Sequence, residues 1–156
     1  MFHIILFEPL IPPNTGNVIR LCANTGCLLH LVHPLGFTID DAQVRRAGLD
    51  YHAMARVREH ADLDACLAAV APGRVYAVET GSERRYSDVR YRPGDALLFG
   101  RETTGLPAAV LAQLGGEAQI SIPMRPANRS INLSNSVALV AFEAWRQNDF
   151  RVMALP

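Results

Sequence analysis

Five short apolar or largely apolar runs, Phe2 to Phe7, Leu28 to Val32, Val75 to Val78, Ala96 to Phe99 and Gln119 to Ile122, punctuate this chain of 156 residues. Continuous rather than alternating apolar character means that a strand made from such a run is buried on both faces, which is the habit of parallel sheets. Segments of helical period lie between the runs. Val18, Leu21 and Cys22 mark the first. Leu63, Cys66, Leu67 and Val70 mark the second, at spacings of three, four and seven. The third opens with Pro107 in its first turn, carries Val110, Leu111 and Leu114, and stops at Gly115-Gly116. The last runs from about Ser134 to Gln147, with Val137, Val140, Ala141, Ala144 and Trp145 on one stripe. Strands alternating with helices predict an α/β fold, a mostly parallel sheet with helices on both faces. No repeat, linker or low-complexity tract divides it, so residues 1–156 are expected to form a single domain. Leu139 and Phe142 give the last helix a second apolar side, suited either to a sandwiched position within the chain or to a subunit interface.

Composition narrows the function classes. With 49% hydrophobic and 19% charged residues the chain is that of a folded protein, and its formal net charge is zero. No global field draws it to a polyanion, so any nucleic-acid contact must come from local patches. Every one of the 15 basic residues is arginine, whose planar fork suits phosphate. Three cysteines without dense spacing argue against a disulfide framework. The opening Met1-Phe2-His3-Ile4-Ile5-Leu6-Phe7 has neither basic leader nor cleavage site, and no apolar run is long enough to cross a bilayer. The expectation is a soluble cytoplasmic protein with no membrane partner.

Ligands of open parallel sheets bind beyond the carboxyl ends of the strands. There the chain places Glu8 through Gly16, Glu79-Thr80-Gly81-Ser82, Gly100 through Gly105, and Pro123 through Ser134. These loops are punctuated by glycine and proline and rich in small polar groups, which favours one composite pocket. Gly100 and Gly105 have phosphate-loop spacing, but Leu106-Pro107 occupies the places of the required Lys and Ser/Thr. No G-x-G-x-x-G follows the first strand. Cys22, Cys27, His30 and His33 invite a metal reading. Cys22 belongs to a helical stripe, however, and His30 and His33 point to opposite faces of an extended run, so no metal is expected there. His3, His52 and His60 read as isolated residues. Asn17, Arg20 and Asn24 share one polar face of the first helix, by itself a solvated face, but the rigid Pro12-Pro13-Asn14-Thr15-Gly16 lead aims its start at the strand ends.

Three segments carry a resemblance. Asn14-Thr15-Gly16-Asn17-Val18-Ile19-Arg20 resembles the first motif of the SPOUT-superfamily RNA 2'-O-methyltransferases. Phe99 through Pro107 resembles their second, and Ile122-Pro123-Met124 through Ser130-Ile131-Asn132-Leu133-Ser134-Asn135-Ser136 their third. Leu21 through Gly26, Arg45 through His52 and Glu143 through Gln147 extend the likeness to the small single-domain branch, which methylates the wobble nucleotide of tRNA, cytidine or a modified uridine at position 34. The resemblance implies a C-terminal deep trefoil knot, a homodimer, tRNA as substrate and S-adenosylmethionine as cofactor. It implies a cofactor site formed by Val78, Thr80, Gly100, Ile122, Met124, Ser130 and Leu133. It also implies catalytic roles for Arg20, Asn14, Glu102 and Asn132. Arg101 and Thr104 lie at variable places in the second motif, and Ser136 stands where a small apolar residue is usual. The alternatives are the same chemistry on another tRNA or rRNA nucleotide, or a non-catalytic RNA-binding assembly factor.

Methyl transfer from a sulfonium needs nucleophile, carbon and sulfur in line, and holding that geometry is worth roughly 7–11 kcal/mol. A guanidinium donates hydrogen bonds and accepts none. Arg20 is therefore expected to bind the ribose hydroxyl or adjacent phosphate and stabilise developing negative charge, with Asn14 and Glu102 orienting it and Asn132 positioning the ribose. Ser134 reads as a helix cap near a positive helix end that favours carboxylate or phosphate. Arg45, Arg46, Arg84, Arg85, Arg90, Arg92 and Arg129 are the candidate RNA contacts, each equally suited to an intramolecular ion pair.

Overall fold

The computed structural model describes residues 1–38, 54, 56–128 and 130–151. Six strands form one parallel sheet: β1 (His3–Phe7), β2 (Leu28–Val32), β3 (Val57–His60), β4 (Val75–Val78), β5 (Ala96–Phe99) and β6 (Gln119–Ile120), in the order β3-β2-β1-β5-β4-β6. All five neighbouring pairs run parallel. Among the described residues the helices are α1 (Pro12–Thr25), α2 (Leu63–Val70), α3 (Ala108–Leu114) and α4 (Leu133–Arg146).

Successive strand residues feed two separate cores, as a period of two requires. Ile4, Leu6, Leu29, Leu31, Leu97 and Phe99 meet Val18, Ile19 and Cys22 of α1 and Val137, Val140, Ala141 and Ala144 of α4. Ile5, Phe7, Val32, Ala96 and Leu98 meet Leu63 and Cys66 of α2 and the half-buried Val110, Leu111 and Leu114 of α3. The expected α/β architecture with helices on both faces is present. Pro12 and Pro13 set the first turn of α1, where missing N–H groups leave no bond unmade, and Gly26 closes it at φ 80°. Asn17, Arg20 and Asn24 lie on its exposed side, as their spacing predicted.

Three local differences are instructive. The strand β3 reads Val-Arg-Glu-His and was not anticipated, because an edge strand that is only half-buried has no need of a continuous apolar run. The last strand ends at Ile120, with Ser121 continuing as an isolated bridge to Arg85. The cap of α4 is Asn132 and not Ser134: the Asn132 Oδ1 accepts from the amides of Ser134 (3.0 Å) and Asn135 (3.4 Å), and from the Ser134 hydroxyl. The described residues hold no helix long and apolar enough to cross a membrane.

His3 and His60 are not isolated. His3 Nδ1 lies 3.1 Å from His30 Nε2, and His30 Nδ1 lies 3.0 Å from His60 Nε2, so a diagonal row of imidazoles crosses β1, β2 and β3. Linear spacing hides such a row, since parallel strands bring together residues about thirty positions apart. Cys22 and Cys27 are buried in the opposite core, so the grouping of Cys22, Cys27, His30 and His33 does not assemble.

Candidate active site

A cavity of about 640 Å³ opens beyond the carboxyl ends of β4 and β5. Its size is that of an ordinary small-molecule site. Val78, Thr80, Gly100, Ile122, Met124, Ser130 and Leu133 all line it. Asn14, Glu102 and Asn132 line it too, so ten of the eleven anticipated site residues share one space.

The floor is a tight hairpin from Arg101 to Gly105. The Arg101 and Gly105 backbones exchange hydrogen bonds at 3.2 and 2.9 Å, and Gly105 takes φ 69° to close the turn. A Cβ on Gly100 would stand 2.2 Å from the carbonyl carbon of Gly105 and 2.3 Å from the Leu106 nitrogen, so only glycine allows the strand to fold back this closely. The Glu79 carboxylate accepts from the Leu106 amide at 2.6 Å and anchors the return.

One carboxylate joins the three motif segments. Glu102 accepts from the Leu10 amide at 2.9 Å, the Ile11 amide at 3.1 Å and the Asn14 side chain at 3.1 Å. Asn14 in turn accepts from Asn132 Nδ2 at 3.0 Å. Because an ionised carboxylate only accepts, it dictates the direction of every bond: Asn14 must present its amide nitrogen to Glu102 and its oxygen to Asn132. Asn132 then has only its oxygen left for capping α4, which is where that oxygen points. Segments more than a hundred residues apart are thereby held in one register.

Arg20 is exposed on α1 and is not among the residues lining the cavity. Of the arginines considered for RNA, Arg85, Arg90 and Arg92 are exposed, whereas Arg84 donates to the Glu117 carbonyl at 2.8 Å and faces the Tyr76 ring. Arg45, Arg46 and Arg129 lie outside the described residues, as does His52. Sequence reasoning passed over Glu8, which follows β1 at φ 49° and pairs with Arg101. Its position directly after a strand was the signal.

A sheet of this order with a cavity over the β4 and β5 ends, built from three loops and a helix start, has the layout of a nucleotide-type cofactor pocket in an α/β enzyme. Comparison gives the class. The chain belongs to the SpoU rRNA Methylase family, whose model matches residues 1–142. A curated tRNA (cytidine(34)-2'-O)-methyltransferase from Burkholderia ambifaria is 59% identical over 152 residues, covering 96% of this chain and 97% of that protein. The Escherichia coli K12 protein of the same name is 54% identical over 147 residues, 94% of each chain. Among solved structures, one described as giving structural insights into 2-OH methylation of C/U34 on tRNA superposes with a TM-score of 0.87 at 43% identity, covering 97% of this chain and 98% of that one. An AdoMet-bound rRNA methyltransferase from Sinorhizobium meliloti shares the fold at a TM-score of 0.79 and 24% identity, over 93% of this chain and 56% of that one.

Proposed function

We propose that this chain methylates the ribose 2'-hydroxyl of the nucleotide at tRNA position 34, cytidine or a modified uridine, using S-adenosylmethionine. The observation that carries the proposal is the joining of Asn14, Glu102 and Asn132 beside the cavity that gathers Val78, Thr80, Gly100, Ile122, Met124, Ser130 and Leu133. The relatives at 54–59% identity are named for this reaction.

The lining suits the cofactor. Val78, Phe99, Ile122 and Leu133 offer apolar walls for an adenine, and Thr80 and Ser130 offer hydroxyls for its sugar and amino-acid parts. When bound there, S-adenosylmethionine supplies an activated methyl group on a sulfonium. The residues of the chain do the rest. Close backbone approach at Gly100 fixes one wall. The network from Glu102 through Asn14 to Asn132 keeps the first helix, the hairpin and the start of α4 from shifting against one another, which preserves in-line geometry. Arg20 donates to the attacking ribose oxygen or its neighbouring phosphate and stabilises the charge that develops there.

Since Arg20 stands outside the cavity of its own chain, it is assigned to a pocket completed across a homodimer. Supporting this, α4 buries one stripe and leaves Leu139 (42%) and Phe142 (45%) exposed, with Ile11 (41%) at the start of the neighbouring α1. The C-terminal segment is assigned to a trefoil knot. In support, the connection from β4 to β5 bonds Ser121 on one side, through Arg84 and Tyr86, and Gln147 at the end of α4 on the other, through Val89 and Tyr91. Localisation is assigned to the cytoplasm.

The test is methylation of bulk tRNA by the purified chain, with the modified ribose mapped. Methylation of nucleotide 34 is expected. A mark elsewhere in tRNA or rRNA replaces the substrate, and no methylation combined with no S-adenosylmethionine binding replaces the activity with RNA binding alone. Arg20→Lys should lose nearly as much rate as Arg20→Ala, since a lysine ammonium lacks the planar fork. Near-normal turnover by the lysine variant removes Arg20 from the chemistry.

A further inference from the structure

A second constellation sits in the other half of the sheet and shares no residue with the cavity. His30 of β2, His60 of β3 and Cys66 of α2 each place one ligand atom within 4.8 Å of the other two. His30 and Cys66 are buried and His60 is half-buried. We propose that His30, His60 and Cys66 bind a zinc-class divalent cation that fastens β3 and α2 to the central sheet.

Three arguments support the assignment. Two imidazoles and a thiolate are the donors a borderline-soft cation selects, and three protein ligands with one open position is a recurrent zinc arrangement. The spacing is close to what is needed: Zn–N of about 2.0–2.1 Å and Zn–S of about 2.3 Å put tetrahedral ligand atoms roughly 3.3–3.7 Å apart. His30 Nδ1 and His60 Nε2 already stand 3.0 Å apart, and the Cys66 thiol, within 4.8 Å of both histidine ligand atoms, has to close by no more than about 1–1.5 Å. The third argument is the outer partner. His3 Nδ1 lies 3.1 Å from His30 Nε2, and of the two tautomers open to His30, the one in which Nε2–H donates to His3 leaves Nδ1 free to ligate. Ligating histidines characteristically have their second nitrogen occupied in this way. Binding deprotonates the thiol, whose proton goes to solvent as the thiolate–metal bond forms; no electron is exchanged.

The placement gives the cation a structural task. Among the described residues β3 is the edge of the sheet, held by one neighbour, and two of its four residues are exposed. A cation bridging β2, β3 and α2 would resist opening of that edge.

Titration of the metal-stripped full chain with Co²⁺ tests the proposal. One equivalent per chain is expected, with the near-ultraviolet charge-transfer band of a cobalt thiolate. Cys22→Ala should keep the band, because that thiol lies in the other core. Cys66→Ser should abolish it, and His60→Gln, a half-buried edge position tolerant of change, should weaken binding at least tenfold. His3→Ala should weaken it about tenfold through the lost outer hydrogen bond. Zn²⁺ should displace the cobalt and raise the thermal midpoint of the wild-type chain but not of His60→Gln. Absence of binding, binding without a thiolate band, a band that survives Cys66→Ser, or an unchanged affinity in His60→Gln would each overturn the site. None of these outcomes bears on methyl transfer, whose residues are separate.

Discussion

At the cavity, Glu102 draws in Leu10, Ile11 and Asn14, and Asn14 draws in Asn132; across the sheet, His30 stands between His3 and His60. Both networks join segments distant in the chain, but they differ in what sets their direction. A carboxylate has no proton to give, so the first network has one arrangement of donors and acceptors. Neutral imidazoles can each donate from either nitrogen, so the second has two, with every proton on one side or every proton on the other. The first suits a rigid frame around a reaction. The second suits a site whose direction is decided by what binds to it.

The frame should break most severely at Gly100. An alanine there drives Cβ into the backbone of Gly105 and Leu106, which the hairpin hydrogen bonds and the Glu79 carboxylate hold in place. Neither side can yield as a flexible side chain would. Gly100→Ala should cost about 3 kcal/mol or more, which for a domain of this size lowers the thermal midpoint by roughly 10 °C. It should also abolish S-adenosylmethionine binding measured by calorimetry. Gly116→Ala, where a Cβ meets nothing within 4 Å, is the control and should leave both unchanged. Equal behaviour of the two variants would show that the close approach at Gly100 is not under constraint.

Glu102→Gln is a smaller and more selective perturbation. The shape is retained, but one oxygen becomes an NH₂ group facing the backbone amide of Leu10 or Ile11, or the Asn14 side chain. One charge-assisted bond is lost and two donors oppose each other, for a cost of about 2 kcal/mol. If the frame acts as a unit, methyl transfer should fall by more than S-adenosylmethionine affinity does, because the cofactor walls remain while the register of the Asn14 and Asn132 segments loosens. A loss confined to the cofactor Kd, with kcat retained, would reduce Glu102 to a wall residue.

How far these features could be read in advance follows from their physics. The strands β1, β2, β4 and β5 announce themselves because both their faces are buried, and α1 and α4 because one stripe is. The hairpin and the frame were legible as motif residues, Asn14, Glu102 and Asn132, although nothing in spacing indicated that Asn132 rather than Ser134 caps α4. That assignment depends on which oxygen remains after Asn14 and Glu102 have made their bonds. β3 escaped because Val-Arg-Glu-His at an edge carries no apolar run. With β3 missing, His60 had no neighbour, and the histidine row could not be assembled from positions 3, 30 and 60. Arg20 is the reverse case: its spacing correctly placed it on the exposed side of α1, while nothing in the spacing indicated that it would stand outside the cavity of its own chain.

The smallest expected effect concerns the histidine row without a bound cation. Burial, with the neighbouring His3, His60 and Arg58, pushes the His30 pKa down to about 3, and burial also lowers those of His3 and His60. The buried thiol facing the row, Cys66, is pushed up to about 11 and stays neutral. The sign follows from proton counting. Below about pH 6.5 the unfolded chain protonates this histidine and the folded chain does not, so stability is retained above that value and falls as the solution is acidified. For His30 alone the loss between pH 6.5 and 5.5 is about 1 kcal/mol. Urea unfolding in chelator at several pH values should therefore give wild-type stability that declines with acid more steeply than that of His30→Gln, whose unfolded state takes up one proton fewer. Parallel slopes would mean that the row admits a proton in the folded state as readily as in the unfolded chain, and the contrast between a fixed frame at the cavity and an adaptable neutral row across the sheet would lose its basis.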